Sequence, residues 1–351
     1  MARTARYIGP MNNRSSNAGA AALYESDVRA TATPNTAERV PPCPICSAET
    51  AIQRFEVEAM EEKVIVCTGC GLGRFHPMPD SDRLRALYPE EYYGEPGWKF
   101  QPLIEGLVRA VGEHHTSFLS RELTAGARIL DVGCGRGVIL GALADRGFEV
   151  HGLEISAEAA RGADPRAEIR IAENLKDAEY RTASFDQVII WHVLEHLDDP
   201  AGTLREAHRI LKPGGRLIVA VPNFSSLQAR YTGAAWFHLD LPRHVYHFPL
   251  SALRRLLTLT GFQVRSVHHF SLRQNPFGWI QSLLNRFESF PRNGLYALLH
   301  RRSPDAPPPY DLRTRGWLWF WLFAAAPFAL AATLVSTALR SGATVHVVAI
   351  R

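Results

Sequence analysis

The chain has 351 residues, a formal net charge of +4 at neutral pH and 46% hydrophobic residues. This length provides a full hydrophobic core for roughly two domains. The mild positive charge argues against a dedicated nucleic-acid-binding protein, although it is compatible with a local basic patch. The five cysteines do not form the pattern of a secreted, disulfide-rich protein, because four of them belong to two C-x-x-C pairs.

The first forty residues predict a disordered leader. Residues 1–40 are rich in Ala, Ser, Thr, Asn and Arg, and such a composition does not support a packed core. They contain arginines but no apolar stretch of the kind that a secretory signal peptide requires. We therefore expect a cytoplasmic active site.

Two cysteine pairs then predict a zinc ribbon over residues 41–78. Cys43 and Cys46 form the first pair, and Cys67 and Cys70 form the second pair after twenty intervening residues. This spacing is typical of structural zinc sites, and four thiolates would complete a tetrahedron without leaving a position for a substrate water. The alternative is a set of free or redox-active cysteines, but a redox C-x-x-C motif does not need a second pair.

An alternating pattern of strands and helices follows between about residues 100 and 270, and it is typical of a parallel sheet covered by helices. A linker and helical region is predicted at 79–125, with a helix at about 102–122. Strands are predicted at 127–132, 148–154, 168–171, 185–191, 216–221 and 262–270, and further helices at about 137–146, 200–211 and 250–260.

The most informative motif is the glycine-rich turn after the first of these strands. Asp131 ends the strand and is followed by Gly133, Gly135 and Gly137, and Glu154 ends the next strand. Glycines allow the backbone to approach a ligand closely, and an acid at the next strand end can accept hydrogen bonds from ribose hydroxyls. The spacing differs from the dinucleotide-binding fingerprint, and no Lys-Ser/Thr pair follows that would suit a nucleoside triphosphate. The motif therefore predicts a nucleoside-binding site.

This Asp-x-Gly-x-Gly-x-Gly motif with its spaced Glu154 resembles motif I of the class I S-adenosylmethionine (SAM)-dependent methyltransferases. Residues 185–200 resemble the fourth strand of that family and the loop after it, and residues 211–215 resemble the start of the fifth strand in its small-molecule branch. The resemblance implies an α/β fold with a seven-stranded, Rossmann-like sheet whose last strand is antiparallel. A zinc ribbon ahead of such a domain is also similar to a subgroup of bacterial methyltransferases that includes sugar C-methyltransferases.

The resemblance also implies which residues bind the methyl donor. The end of the first strand and the glycine turn would surround the methionine end of SAM, and the acid after the second strand would bind its ribose. The two residues just after the fourth strand would line the pocket near the sulfur. The residues concerned are Asp131, Gly133, Gly135, Gly137, Glu154, His192 and Val193.

A histidine-rich segment, residues 236–248, follows the fifth strand of the family pattern and would cover the substrate side. Methylation of oxygen or carbon requires a proton to be removed near neutral pH, for which histidine is suited. We expect His244 or His247 to act as the base, with Asp240 orienting the ring and Arg243 binding an anionic group of the substrate. The alternative is that the segment is structural and ties this loop to the following helix.

An uncharged run of 23 residues, 317–339, is long enough to span a bilayer as a helix. Tryptophans cluster at its start and arginines flank both ends, as at a membrane interface. Residues 343–350, however, resemble the antiparallel last strand of the fold, which a single crossing would separate from its sheet. We therefore expect a membrane-facing hairpin broken near Pro327, with a single span and a buried helix as the alternatives. The SAM-binding core would then comprise residues 126–270, the hydrophobic insertion 271–340 and the final strand 341–351.

These features together predict a SAM-dependent methyltransferase that contains structural zinc and acts on a small-molecule, sugar or lipid-linked acceptor by in-line SN2 transfer. It would lie in the cytoplasm, in contact with the cytosolic face of a membrane. One alternative is an RNA methyltransferase that binds its substrate with the zinc ribbon, although residues 236–248 contain one arginine and no lysine. The other alternative is a catalytically inactive SAM-binding scaffold. The sequence does not indicate the oligomeric state.

Overall fold

The computed structural model describes residues 30–32, 37–57, 61–80, 83, 115–300 and 308–351. Residues 115–120 are helical, and the rest of the helix predicted at 102–122 lies outside the described residues. The strands are β1 (Ala30–Ala32), β2 (Ala37–Arg39), β3 (Thr50–Val57), β4 (Lys63–Cys67), β5 (Gly73–His76), β6 (Arg128–Val132), β7 (Glu149–Glu154), β8 (Glu168–Ile171), β9 (Phe185–Trp191), β10 (Leu211–Pro222), β11 (Tyr246–His247), β12 (Gln263–His268) and β13 (Thr344–Ile350). The α-helices are α1 (Val138–Ala144), α2 (Pro200–Ile210), α3 (Leu227–Thr232), α4 (Leu250–Leu259), α5 (Asn275–Leu284), α6 (Gly294–Leu299) and α7 (Leu312–Ala338).

The larger sheet has the strand order β12-β13-β10-β9-β6-β7-β8 among the described residues. Its strands from β10 to β8 run parallel to their neighbours, and β13 lies antiparallel between β10 and β12. The central strands β9 and β10 are buried almost throughout, as expected for parallel strands covered on both faces. This is the seven-stranded methyltransferase sheet that the sequence predicts, with its antiparallel last strand.

The smaller sheet is antiparallel and carries the cysteine pairs. Its order is β1-β3-β4-β5-β11, and β2 also pairs with β3. Strands β1 and β2 fall within residues 1–40, so the prediction of disorder is wrong for residues 30–32 and 37–39. Both strands add to the edge of β3 through main-chain pairing, which does not require an apolar sequence.

Strand β11 joins the two parts of the protein. It lies in the chain after β10 of the larger sheet, yet it pairs with β5 of the smaller sheet, with Tyr246 opposite Arg74 and His247 opposite Gly73. One hydrophobic core accordingly contains residues from both parts, among them Phe55 and Phe75 on the ribbon side and Val245 on the other side. The ribbon sheet and the methyltransferase sheet therefore share a core instead of packing as separate bodies.

The uncharged run forms one continuous helix, α7, and the prediction of a hairpin broken near Pro327 is wrong. A proline removes one helical hydrogen bond and usually bends or ends a helix. Pro327, however, lies on the exposed side of α7 next to small alanines. On the opposite side, α7 packs against α5 and α6 both before the proline, through Leu318, and after it, through Ala329, and these contacts support the helix on both sides.

Candidate functional site

The glycine turn between β6 and α1 has a backbone shape that needs its glycines. Gly133, Gly135 and Gly137 have φ angles of 71°, 50° and 65°, a region that other residues rarely adopt. An added Cβ on Gly133 would lie 2.5 Å from Val193 Cγ2, and one on Gly137 would lie 2.9 Å from Ala163 Cβ. An added Cβ on Gly135 would meet nothing within 4 Å. The outer glycines therefore allow close packing, whereas Gly135 borders open space.

Two acidic side chains stand beside this turn at the ends of β6 and β7. Asp131 and Glu154 are both buried, and burial together with the neighbouring Glu154 raises the pKa of Asp131 to about 8. Burial also raises the pKa of Glu154, although its Oε2 accepts a hydrogen bond from Gly135 N at 2.8 Å and its Oε1 accepts one from Ile155 N at 2.7 Å. Two carboxyl groups in one buried region favour a ligand that brings a positive charge.

These residues fit the parts of SAM that the sequence assigns to them. The cationic methionine end would compensate the Asp131 carboxylate, and a carboxylate such as that of Glu154 has lone pairs left for ribose hydroxyls beyond its two amide bonds. The open space at Gly135 adjoins Glu154, which accepts the hydrogen bond from Gly135 N. His192 and Val193 follow β9, and Val193 packs against Gly133. The structure thus brings the expected donor-side residues together.

The four cysteines of the ribbon also form one cluster. The sulfur atoms of Cys43, Cys46, Cys67 and Cys70 all lie within 4.8 Å of one another, and the closest pairs are 3.4 and 3.6 Å apart. A tetrahedral zinc ion with Zn–S bonds of about 2.3 Å would place its sulfurs about 3.8 Å apart. The hydrogen bond between Cys43 and Cys70 lowers the pKa of Cys43 and raises that of Cys70, and burial raises the pKa of Cys67. The donor set fits a structural zinc ion.

The histidine-rich segment divides into two surroundings. His244 is buried, with Nδ1 2.9 Å from the carbonyl oxygen of His238 and Nε2 3.6 Å from Asp240 Oδ2. Asp240 therefore lies beside the His244 ring, slightly beyond hydrogen-bond distance. Asp240 also forms an ion pair with Arg243, which holds the pKa of the aspartate below its usual range against the effect of burial.

His247, the second predicted base, lies elsewhere. It belongs to β11, and its ring packs over Gly73 of the ribbon and beside Phe224. Burial lowers its pKa to about 3, and its Nε2 has no hydrogen-bond partner among the described residues. His244 and His247 are therefore not alternatives within one pocket, because they face different surroundings.

The loop after β9 contains a pairing that the sequence did not indicate. His192 Nδ1 lies 3.2 Å from Glu195 Oε1, and Glu195 is almost completely buried. Glu195, His196 and His244 also place one potential ligand atom each within 4.8 Å of the others, a geometry that could hold a cation. The spacing of three residues between His192 and Glu195 was visible in the sequence, but their contact depends on the short helical turn at Leu194–His196.

Comparison with known proteins agrees with this arrangement. A family model described as a methyltransferase domain matches residues 107–267. The ubiquinone biosynthesis O-methyltransferase of Ralstonia nicotianae is 30% identical over 201 residues, which cover 52% of this chain and 79% of the relative. The ubiquinone biosynthesis O-methyltransferase of Xanthomonas oryzae pv. oryzae is 32% identical over 133 residues; the match covers 35% of this chain, which spans a little over half, 56%, of that relative.

Among solved structures, a SAM-dependent methyltransferase from Archaeoglobus fulgidus is 18% identical, with coverage of 71% of this chain and 98% of its own and a TM-score of 0.43. A similarity of that size adds nothing to the sequence matches. The family model includes the glycine turn, both acids and the loop after β9, and the seven-stranded sheet has the order and the antiparallel strand that the motif implies. The chain belongs to the class I SAM-dependent methyltransferases.

Proposed function

We propose that the enzyme methylates an oxygen atom of a small amphiphilic acceptor that it takes from a membrane surface; a lipid-linked sugar fits this description. The relatives named as O-methyltransferases support an oxygen acceptor. The observation that carries the membrane part is the exposed apolar surface of α7. This helix packs on α5, which in turn contacts the histidine-rich segment.

On the donor side, SAM supplies a methyl group that is already activated by its positively charged sulfur. Asp131 would bind the cationic methionine end and Glu154 the ribose, while the open space at Gly135 would accept the ligand against the backbone. His192 and Val193 would close this pocket on the side of the acceptor. Most of the rate enhancement would come from aligning the acceptor oxygen with the methyl group, because the donor needs no further activation.

On the acceptor side, a hydroxyl group that attacks the methyl carbon must lose its proton to a base. His244 and His247, with Asp240 as the residue that orients the His244 ring, are the candidates that the sequence indicates. Burial lowers the pKa of both histidines, so that both rings are neutral at neutral pH and can accept a proton.

We also propose that the cysteine cluster holds one zinc ion per chain with a structural role. Cys43, Cys46, Cys67 and Cys70 offer four sulfurs and leave no position for a substrate. The ribbon strand β5 pairs with β11, so that the ion would stabilise the acceptor side through main-chain hydrogen bonds. The proposed ribbon, residues 41–78, and the proposed SAM-binding core, residues 126–270, would then act as one unit.

Helix α7 has the composition of a membrane-binding element. It is long and apolar enough to cross a membrane, yet only 17% of its most apolar 18-residue stretch is buried in the protein. The helix contains two arginines, near its start, and no acidic residue, and Arg340 follows its end. Cations at both ends of an apolar surface complement anionic phospholipids. Its exposed large side chains include Trp317, Phe320, Trp321, Phe323, Phe328, Leu330 and Leu334.

The two ends of α7 indicate that it would lie along the membrane instead of crossing it. Strand β13 begins at Thr344, only a few residues after α7 ends at Ala338, and it pairs on both sides within the methyltransferase sheet. At its start, α7 packs through Leu318 on the helices that belong to the same domain. Both ends are therefore held by the protein on one side of the bilayer.

A short chain of contacts connects α7 to the acceptor side. Helix α7 packs on α5. The α5 residues Phe277 and Ser282 contact Phe237, whose backbone N–H donates a hydrogen bond to Ser282 Oγ at 2.8 Å. The next residue, His238, accepts the hydrogen bond from His244 through its carbonyl oxygen when Nδ1 of His244 carries the proton. An acceptor that is partly embedded in the membrane would therefore meet the enzyme close to this segment.

The acceptor class can be tested with tritium-labelled SAM. The purified enzyme is incubated with a total bacterial lipid extract and, separately, with the water-soluble metabolites of the same cells. We expect label in an organic-phase product whose methyl group resists mild alkali, as a methyl ether does and a methyl ester does not. Label found only in water-soluble products or in added RNA would contradict the proposal.

The membrane contact can be tested by flotation with vesicles made of equal parts of neutral and anionic phospholipid. We expect the wild-type protein to float and the triple variant Trp317→Ser, Phe320→Ser, Trp321→Ser to remain at the bottom. The matched control is Leu259→Ser, which removes an equally exposed apolar side chain at the end of α4. Wild-type protein that does not float, or a control that is lost as well, would rule out α7 as the contact.

A further inference from the structure

We infer that His192 is the general base that accepts the proton of the acceptor hydroxyl, and that Glu195 is the positioning residue for its ring. This inference rests on the proposed O-methyl transfer and replaces His244 and His247 as the site of proton transfer. It follows from the surroundings of the ring, from the backbone at His192 and from the position of the residue between the donor turn and the acceptor side.

The two nitrogens of the His192 ring have different surroundings. Nδ1 lies 3.2 Å from Glu195 Oε1, and Glu195 is 1% exposed. Nε2 is buried and has no hydrogen-bond partner within the described part of the chain. Burial raises the pKa of Glu195. In its ionised form, which this pairing requires, its carboxylate accepts a hydrogen bond from Nδ1–H and fixes the tautomer in which Nε2 carries a lone pair. A buried nitrogen without a partner is costly, so this geometry points to a ligand that supplies the missing partner.

The backbone of His192 adds a second observation. Its φ is 55°, a left-handed conformation that costs energy for a residue with a side chain and is typical of functional sites. Its N–H donates to Ala220 O on β10 at 2.9 Å, which anchors the strained residue to the sheet. The next residue, Val193, packs against Gly133 of the donor turn. His192 therefore lies at the junction of the donor turn and the next strand, where a methyl group would be transferred.

Three other histidines of this region are less suited. Both nitrogens of His244 face protein atoms, the carbonyl oxygen of His238 and the carboxylate of Asp240. His196 directs Nδ1 at Arg243 O at 3.1 Å. His247 belongs to the pairing between β11 and the ribbon and packs over Gly73. Among these four histidines, His192 combines a carboxylate on one nitrogen, a buried unpartnered second nitrogen and contact with the donor turn through its neighbour.

The proton transfer is chemically balanced with His192 as the base. An oxygen lone pair of the acceptor forms a bond to the methyl carbon, and the bond between that carbon and the SAM sulfur breaks with its electron pair going to sulfur. The hydroxyl proton passes to His192 Nε2, and the Glu195 carboxylate stabilises the resulting imidazolium. Burial lowers the pKa of His192 to about 3, with the charge of Arg273 as a further cause, so the ring is neutral before the reaction. The proton then leaves to solvent with the product.

The first test does not need the acceptor. Nitrogen-15 NMR of the imidazole groups reports which ring nitrogen carries the proton, and the His192 signals are assigned with His192→Asn. We expect His192 to be the Nδ1–H tautomer at pH 7 in the free enzyme and in its complex with S-adenosylhomocysteine. An Nε2–H tautomer would overturn the inference, because Glu195 would then be a protonated acid that donates to Nδ1 and no lone pair would face the acceptor. This result is independent of whether the proposed acceptor class is correct.

The second test uses the positive φ of His192. Glycine and asparagine both tolerate this conformation, so His192→Gly and His192→Asn keep the backbone while removing the base. With the lipid extract and labelled SAM, we expect both variants to lose on the order of 100-fold in turnover. Any loss of calorimetric affinity for SAM should be much smaller, since His192 only borders the proposed donor pocket. Added imidazole should restore activity to His192→Gly, which leaves a space for it, and not to His192→Asn.

Two further variants separate the base from its neighbours. Glu195→Gln retains an oxygen that can accept from Nδ1–H, and we expect a smaller loss of turnover than for His192→Gly, without rescue by imidazole. His244→Asn tests the alternative base directly. A loss confined to His244→Asn, or a His192→Gly variant with normal turnover, would overturn the inference. If the wild-type enzyme labels nothing in the lipid extract, the proposed acceptor class fails. The NMR result still decides which ring nitrogen of His192 carries the proton.

Discussion

The donor side and the acceptor side of this enzyme are built in different ways. The donor side comes from one continuous unit, in which β6, the glycine turn, α1 and β7 place Asp131, Gly135 and Glu154 together within 24 residues. The acceptor side comes from segments that are far apart in the chain. Phe75 N donates to Val245 O at 3.0 Å, and Val245 N donates to Glu195 O at 3.0 Å. One side is therefore local and the other depends on long-range pairing.

This difference decides how each side should respond to perturbation. A change in the donor turn alters the residues that we propose to contact SAM and should alter little else. A change in the ribbon should reach the acceptor side, because β5 pairs with β11 and the same core contains both. The following predictions test whether the two sides can be separated, from the largest expected effect to the smallest.

The largest effect is expected from losing the zinc site. Cys67→Ser removes one of the four sulfurs. In zinc-finger peptides, structural zinc contributes an apparent binding free energy of about 10–16 kcal/mol, and much of it stabilises the fold. We therefore expect the ribbon to lose its folded state. We expect methyl transfer to fall below detection while calorimetry still shows SAM binding. Metal analysis of the wild-type protein should give one zinc per chain.

The control for this experiment is Cys134→Ser, which changes a buried cysteine outside the cluster. It should retain zinc, because Cys134 lies in the glycine turn and not in the ribbon. Methyl transfer is not compared in this control, since the turn belongs to the proposed SAM site. Wild-type protein purified without zinc would contradict the metal proposal. Equal loss of SAM binding and methyl transfer in Cys67→Ser would show that the two sides are not separable, since both would then depend on the ribbon.

The next effect concerns the donor side alone. Asp131→Asn removes the charge that should pair with the cationic end of SAM, and breaking a buried pair costs about 3–5 kcal/mol, or roughly 100- to 4,000-fold in affinity. Gly135→Val should weaken binding as well, because its side chain would fill the open space where the ligand lies. Zinc content should be unchanged in both. Wild-type SAM affinity in both variants would refute the assignment of this site.

The raised pKa of Asp131 gives this prediction a pH signature. In the free enzyme its pKa is about 8 because of burial and the neighbouring Glu154, so the carboxyl group is mostly protonated at pH 7. A bound cation favours the ionised form and lowers this pKa, so binding at pH 7 should release about one proton. Calorimetry in buffers with different ionisation enthalpies measures this number. Asp131→Asn should abolish the release.

The same group affects stability in a defined direction. In the unfolded chain its pKa is near the ordinary 3.8, whereas in the folded enzyme it is about 8. Folding therefore takes up a proton between these values, and the stability contributed by this group decreases as the pH rises from about 4 to about 8. Asp131→Asn should flatten that part of the melting-temperature profile while it removes SAM binding. A profile identical to that of the wild type would contradict the assigned pKa.

The comparison also explains what the sequence could predict. The donor side was accessible because glycine spacing and a following acid are local signals, and the structure brings Asp131, Gly135 and Glu154 together as expected. The pairing of β11 with β5 was not accessible, because a two-residue strand has no periodicity and its partner lies about 170 residues away. For the same reason His247 was grouped with His244, although tertiary contacts place the two rings in different surroundings.

The hydrophobic run shows a further limit. Pro327 is a strong local signal for a break, yet α7 is continuous because contacts on its other side support the helix before and after the proline. The leader shows the converse, since β1 and β2 form in a segment of polar composition by adding to the edge of β3. In both cases a partner distant in sequence overrides the local preference.

A smaller effect is expected at the joint between the ribbon and the acceptor side. An added Cβ on Gly73 would lie 2.9 Å from His247 Cβ and 3.2 Å from Phe224 Cε1. Gly73→Ala should therefore overpack the joint and lower the free energy of unfolding by about 1–3 kcal/mol. We expect turnover to fall several-fold while SAM affinity and zinc content stay unchanged. The same substitution at Gly316, where nothing lies within 4 Å, is the control and should leave turnover unchanged. Reduced SAM affinity in Gly73→Ala would show that strain at the joint reaches the donor side.

The smallest effect should leave both sides untouched. Asp199 caps α2 by accepting a hydrogen bond from Gly202 N at 2.8 Å, and removing such a cap costs about 1 kcal/mol. Asp199→Ala should therefore lower the melting temperature by a few degrees without changing SAM affinity or turnover, although α2 directly follows the loop that carries His192 and Glu195. Arg205→Ala is the matched control, because it removes only the 3.9 Å ion pair with Asp199 and should change stability by less than about 0.5 kcal/mol. A fall in turnover with Asp199→Ala alone would mean that the geometry of the His192–Glu195 pair depends on the N-terminal cap of α2. The acceptor side would then be sensitive to the stability of this helix as well as to the ribbon.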